Sequence, residues 1–164
     1  MRCLVVGLAT SLVFGVIAHA AEPKAPATTA TGTFSASATK YSLANALAYS
    51  KKIGDKTRTV VYLTEKPLDT DKLKKSLKDH GTDKDFFVFK PHVQLIFDDK
   101  GELFQVVMYA EGKTINLIGD DTIKASAKIA DGKVAGKGKT EKPAKAFGDT
   151  FEFDVTFDVA ITAP

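Results

Sequence analysis

The sequence predicts a mainly β protein: an antiparallel β-sandwich or flattened barrel of about nine strands, with one short α-helix near residues 70–80. Three observations lead to this prediction. Short apolar segments are separated by turn residues along most of the chain, the carboxy-terminal segment alternates strictly, and an Asp-Gly dipeptide joins two further alternating segments. A period of two residues is typical of extended chains with one buried face.

The clearest strand is the last one, Phe151–Ile161. Its odd positions are all large and apolar: Phe151, Phe153, Val155, Phe157, Val159 and Ile161. Its even positions are Glu152, Asp154, Thr156, Asp158 and Ala160. Because successive side chains of a strand point to opposite faces, this pattern predicts the main wall of the core.

A hairpin is predicted over residues 122–140. Asp131-Gly132 suits a type I′ turn, in which both central residues have positive φ. If that turn forms, Ile129 opposes Val134 and Ala125 opposes Gly138, on a face that looks inward. This face is built largely of Ala and Gly, so the aromatic rings of the last strand are expected to fill the space. These rings are Phe151, Phe153 and Phe157.

An apolar meander precedes the hairpin. His92–Asp98 and Glu102–Ala110 flank a turn in which Gly101 suits the left-handed position, and Lys113–Ile118 follows. Leu103–Tyr109 carries apolar groups on both faces, which predicts a central strand covered on both sides. Earlier strands are predicted at Thr33–Ala38, Tyr41–Tyr49, Arg58–Thr64 and Phe86–Phe89.

One helix is well signalled. Asp69 can cap its start, Leu68 and Leu73 occupy the staple positions, and Gly81 can take the left-handed position after its end. Because only Leu73 and Leu77 form an apolar stripe, we expect a lid over an edge or a barrel mouth.

The amino terminus has the pattern of a secretory signal. Arg2 precedes an uncharged apolar run, Leu4–Ile17, and Ala18-His19-Ala20 suits signal peptidase. The alternative is a membrane anchor, but a fourteen-residue helix spans about 21 Å, short of the ~30 Å hydrocarbon core. The sequence predicts a cleaved signal at 1–20, a flexible leader at 21–30 and one β domain at 31–164. The predicted location is periplasmic or extracellular.

Removal of the first 20 of 164 residues leaves 144, lowers the formal net charge from +3 to +2 and takes away Cys3, the single cysteine. The predicted mature domain therefore has no disulfide, no thiol catalysis and no cysteine-ligated metal. His80 and His92 fit no trusted metal-site spacing. The sequence contains no G-x-S-x-G, P-loop or dinucleotide motif. We predict no cofactor and no metal, and a hydrolase is the third-ranked function.

Lysines mark the outward face of the predicted hairpin. They are Lys124, Lys128, Lys133, Lys137 and Lys139. This face predicts a non-catalytic exported domain that binds an envelope protein, an anionic lipid or a glycan in the bacterial cell envelope. The alternative is a solvated face whose lysines prevent edge pairing. Nucleic acid is not expected, because no aromatic residues interleave for base stacking.

A second functional hypothesis comes from the predicted interior. If the strands close into a barrel, the domain is a carrier for a small apolar ligand. Its pocket would be lined by Phe104, Met108, Phe151, Phe153 and Phe157. The alternative is a sandwich whose core these side chains fill.

Overall fold

The computed structural model describes residues 29–86, 88–146 and 148–163. The mainly β prediction is confirmed. The strands are β1 (Ala30–Ala36), β2 (Thr39–Ser42), β3 (Asn45–Ile53), β4 (Lys56–Thr64), β5 (His92–Phe97), β6 (Leu103–Ala110), β7 (Lys113–Ile118), β8 (Ile123–Ala130), β9 (Lys133–Thr140), β10 (Ala144–Ala146) and β11 (Asp149–Thr162). The helix is α1 (Thr70–His80).

The predicted signal peptide, 1–20, and residues 21–28 of the predicted leader lie outside the described residues. The last two leader positions are part of the fold. The backbone N–H of Ala46 donates to the Thr29 hydroxyl over 2.6 Å, and Ala30 is buried at the start of β1. The β domain therefore begins slightly before residue 31.

Two sheets share the long strand β11. The hairpin sheet has the order β2-β1-β11-β9-β8, and the helix sheet has the order β3-β4-β5-β6-β7. At the end of β11, Ile161 and Thr162 pair parallel with β3, so the strands are not all antiparallel. The strands do not close into a barrel, which corrects the flattened-barrel alternative and leaves a sandwich-like fold.

The main core lies between the two sheets. The alternation of β11 is confirmed, because Phe151, Phe153, Val155 and Phe157 are buried while the residues between them are exposed or partly exposed. Phe157 meets Phe97 of the helix sheet with their ring centroids 6.0 Å apart. This strand is the wall of the core that its sequence predicts.

The hairpin forms in the predicted register. Asp131 has φ 52° and Gly132 has φ 70°, as a type I′ turn requires. Ala125 pairs with Gly138, as predicted. A Cβ on Gly138 would lie 3.2 Å from Cε2 of Phe153, so the aromatic ring packs where the glycine leaves room.

The helix has the predicted caps but a different position. The Asp69 carboxylate accepts a hydrogen bond from the Lys72 N–H over 2.9 Å, and Gly81 ends the helix with φ 64°. Leu73 and Leu77 are buried in a second apolar cluster, on the outer face of the helix sheet. The expected lid over an edge or a mouth is therefore wrong. Other members of this cluster are Leu47, Tyr49, Val60, Tyr62, Phe86 and Ile96.

The helix and the segment after it cover only part of the outer face of the helix sheet, and two strand predictions are therefore revised. Leu103–Tyr109 is central, as predicted, because β6 lies between β5 and β7. All six residues of β5 are buried, whereas the outward residues of β6 are only partly buried, so its outer side is covered only in part. The described residues of Phe86–Phe89 form no strand. Phe86 instead packs edge-on against Tyr62 as part of the cover, with ring centroids 5.9 Å apart.

The predicted strand Tyr41–Tyr49 divides between the two sheets. The Leu43 N–H donates to the Gly32 carbonyl of β1, and the Ala44 N–H donates to the Thr64 carbonyl of β4. The chain crosses from one sheet to the other at these two residues. One alternating segment therefore supplies β2 to the hairpin sheet and β3 to the helix sheet.

The β5–β6 turn joins the two sheets at the open side of the sandwich. The Ala127 N–H of β8 donates to the Gly101 carbonyl over 3.0 Å, and Glu102 forms a bridge with Ser126. Apart from this contact, no described strand other than β9 pairs with β8. Most of the β8 edge is therefore open.

Candidate functional site

The five predicted lysines lie on one face of the hairpin sheet. Lys124 and Lys128 of β8 are exposed, as are Lys133, Lys137 and Lys139 of β9. We call these five residues the lysine face. The period-two alternation places them outward because the intervening residues face the core.

An acidic strand lies directly beside the lysine face. β9 pairs with β11, which places Asp154 opposite Lys139 and Thr156 opposite Lys137. Asp158 and Glu152 extend outward from the same strand. Opposite charges on paired strands stabilise a sheet, and this complementarity is the signal by which the pairing could have been found from sequence.

Two lysines of the lysine face lie on β8, which does not pair with the acidic strand β11. Among the described residues, Lys124 and Lys128 of β8 form no ion pair, and neither do Lys133 and Lys137 of β9, the strand next to β11. Lys124 lies opposite Lys139, whose Nζ is 3.3 Å from a carboxylate oxygen of Glu141. Like charges directly opposite each other destabilise a strand pair. This edge is therefore where an anion has the most to neutralise.

A cleft of about 690 Å³ opens where the last strands of the two sheets, β7 and β8, face each other. We call it the edge cleft. Its apolar lining comes from both sheets: Leu103, Phe104, Val106, Leu117, Ile123 and Ala125. Its charged lining is Lys124, Lys137, Lys139, Asp120, Asp121 and Asp154. The cleft and the lysine face thus share three lysines.

The residues predicted for an apolar pocket do not line one together. Met108, Phe151, Phe153 and Phe157 are buried in the core between the sheets. Phe104 is the one of the five that lines the edge cleft. It also packs with the helix-side cluster, and its ring centroid lies 4.1 Å from the Arg58 guanidinium carbon. Phe104 faces away from the core between the sheets because β5 and β6 shift register between Ile96 and Phe97.

The two histidines lie apart on the helix-sheet side. One ring nitrogen of His80, Nε2, is 2.6 Å from a carboxylate oxygen of Asp85 at the surface. His92 is buried between the rings of Tyr62 and Tyr109, and its Nδ1 lies 2.8 Å from the Lys90 carbonyl oxygen. Within the described ranges no three His, Cys, Asp or Glu residues gather in a metal-binding arrangement.

Burial lowers the pKa of His92. At pH values below the ordinary pKa of histidine, about 6.5, the unfolded chain binds a proton at His92 more readily than the folded protein does. We expect stability to fall as pH drops from 7.5 to 5, with a His92 contribution of at most about 1.4 kcal/mol per pH unit. Urea unfolding at each pH measures it. His92→Phe keeps a ring between the tyrosines and removes the titration, so an unchanged pH slope in this variant would contradict the assignment.

A second buried polar group holds the loop after α1. The Tyr49 hydroxyl donates to the Asp83 carboxylate, and Lys51 Nζ lies 2.9 Å from the same carboxylate. Burial raises the pKa of Tyr49 above its ordinary value and that of Tyr62 to about 12. Both phenols stay neutral and are packed among apolar side chains. Sequence reasoning missed this cluster, and its arrangement fastens the loop to the helix sheet.

No known protein family, curated protein or solved structure matches this chain. In the part of the chain that the structure describes, no helix is long and apolar enough to cross a bilayer. The lysine face and the edge cleft are therefore the candidate functional site. They meet along β8, whose outer edge is mostly unpaired.

Proposed function

We propose that this protein is an exported, non-catalytic binding domain of the bacterial cell envelope, and that the β8 edge of its lysine face binds an anionic lipid surface. The observation that carries the proposal is the uncompensated pair Lys124 and Lys128 on an open edge strand. Basic residues beside an anionic membrane each contribute about 1 kcal/mol of binding. The apolar cleft beside them favours a lipid over a glycan or a protein.

The competing explanation is protection of the sheet edge. Lysines on an edge strand prevent another chain from pairing with it. Both roles need the same side chains in the same place, but they differ in what a charge reversal does. A Glu at these positions still blocks edge pairing, whereas it repels an anionic surface.

The test is co-sedimentation with phosphatidylglycerol/phosphatidylcholine vesicles at low and at physiological salt. We expect binding that weakens as salt rises, and the double variant Lys124→Glu, Lys128→Glu should reduce it at least tenfold. The matched control is Lys52→Glu, Lys56→Glu, which makes the same charge change at exposed residues of β3 and β4.

Two results would contradict the proposal. In one, the β8 variant and the control weaken binding equally, which means that net charge alone matters. In the other, the wild-type protein does not sediment with anionic vesicles at low salt. A β8 variant that stays monomeric but has lost vesicle binding shows that the positive charge of these residues is needed for binding, which edge protection alone does not require.

Carriage of a small apolar ligand is the second candidate function, and the edge cleft is the observation that favours it. The site for such a ligand moves from the filled core to the open edge between the sheets. Mass spectrometry of gently purified protein tests it, because a carrier is expected to retain a stoichiometric organic ligand.

A further inference from the structure

The edge cleft has the size and lining of a site for one small amphiphile. Its volume of about 690 Å³ falls within the roughly 300–1,000 Å³ of known ligand pockets. Leu103 and Val106 of β6 and Leu117 of β7 form one wall, and Ile123 and Ala125 of β8 form the other. Leu103, Leu117 and Ala125 are only partly buried, so apolar surface in the cleft is left for a ligand to cover.

The rim of the cleft carries a like-charge pair. Lys124 and Lys139 are directly opposed on β8 and β9, and both belong to the cleft lining. Their repulsion is unfavourable in the free protein. A negative group held between the two ammonium groups would remove that repulsion and gain two charge-assisted hydrogen bonds.

The acids near this rim limit the charge of the ligand. Lys124, Lys137 and Lys139 are accompanied by Asp154, opposite Lys139, and by Glu141, paired with Lys139. Asp120 and Asp121 lie at the same end of the hairpin, because the Glu141 N–H donates to the Thr122 carbonyl beside them. The three lysines of the cleft lining are therefore matched by three aspartates, Asp120, Asp121 and Asp154. A headgroup with several negative charges would be repelled by these acids, so the Lys124–Lys139 pair suits a headgroup with a single negative charge.

We propose that the edge cleft binds a single-chain amphiphile with a monoanionic headgroup, such as a fatty acid. The headgroup lies between Lys124 and Lys139, and the acyl chain runs between the apolar walls supplied by β6, β7 and β8. This inference deepens the proposed function and rests on it, because the same lysine edge supplies the anion site.

The first test is a chain-length series of octanoate, decanoate and dodecanoate, measured by calorimetry below their micelle concentrations. Burial of an acyl chain is expected to improve affinity roughly fourfold per methylene group. Dodecyltrimethylammonium, which has the same chain and the opposite charge, should bind at least tenfold more weakly than dodecanoate. Affinity that is independent of chain length would overturn the proposal.

Variants separate the cleft from the lysine face. Ala125→Phe fills the cleft and keeps every lysine, so it should abolish the chain-length dependence and leave vesicle binding intact. Ala135→Phe makes the same change on the same hairpin, outside the cleft lining, and should bind dodecanoate like the wild type. Leu117→Gln on the facing wall provides a second variant, independent of the hairpin, that should also weaken dodecanoate binding.

Lys124→Glu distinguishes binding from a structural role. It should weaken dodecanoate binding at least tenfold. It should also raise the melting temperature of the free protein, because a Lys–Lys pair becomes a Glu–Lys pair. If the wild-type protein binds vesicles but its affinity for fatty acids does not depend on chain length, the cleft inference is wrong and the proposed function stands. If the wild-type protein neither binds vesicles nor shows chain-length dependence, both are wrong.

Discussion

Gly101→Ala is expected to destabilise the protein by about 2–5 kcal/mol, the combined cost of a left-handed alanine and an overpacked contact. Gly101 has φ 78°, and a Cβ there would lie 1.8 Å from the Ala127 carbonyl oxygen. The Gly101 carbonyl also accepts the Ala127 N–H, so the backbone cannot move away without breaking the link between the β5–β6 turn and β8. Urea unfolding monitored by tyrosine fluorescence measures the loss.

Gly112→Ala is the matched control. Gly112 has φ 77°, close to that of Gly101, but no atom lies within 4 Å of the position its Cβ would take. The free energy of unfolding of this variant should fall by only about 1–2 kcal/mol, the cost of a left-handed backbone at alanine. Equal losses at the two glycines would mean that the Gly101–Ala127 contact contributes nothing to stability, and that the two sheets are held at this edge by other residues.

Phe153→Ala is expected to cost about 3–5 kcal/mol, because it leaves a cavity in the core between the sheets. Phe153 is 3% exposed. Its ring packs against Gly138 of the hairpin, whose Cβ position also lies 3.2 Å from Cδ1 of Leu95 in the helix sheet. The Phe153 ring thus lies where the hairpin packs against the helix sheet. Thermal and urea unfolding should show the same large loss.

Glu152→Ala tests the neighbouring position on the opposite face of β11. Glu152 is exposed, so its truncation should change stability by no more than about 0.5 kcal/mol. A loss at Glu152 as large as that at Phe153 would show that the alternation of this strand does not separate a buried face from a solvated one.

Local patterns were sufficient for the hairpin, the last strand and the helix caps. Asp131-Gly132 restricts the turn, and the turn determines the register of every pair up to Lys124 and Lys139. Phe151–Phe157 alternates because one face of its own strand is buried. The lysine face could be predicted for the same reason, since residues two apart in a strand share a side.

Long-range packing decided what these patterns left open. Leu73 and Leu77 predict a helix with one apolar stripe, but that stripe fits an edge as well as a sheet face, and the choice depends on Tyr49, Val60 and Tyr62 across the sheet. Phe104 was predicted to face the core, whereas it faces away from it. The register shift beside Ile96 and Phe97 causes this, and the sequence of β6 does not reveal that shift.

The sequence by itself determined which side chains point inward and outward along the regular strands β8, β9 and β11, because in a strand without a register shift that depends only on neighbours two residues apart. Only the tertiary structure decided which strands lie side by side. That choice placed the acids of β11 beside the lysines of β9 and left β8 and β7 facing each other across a cleft. The pairing of strands depends on how much apolar surface is buried between residues that are far apart in the chain. That quantity cannot be read from any single segment of the sequence.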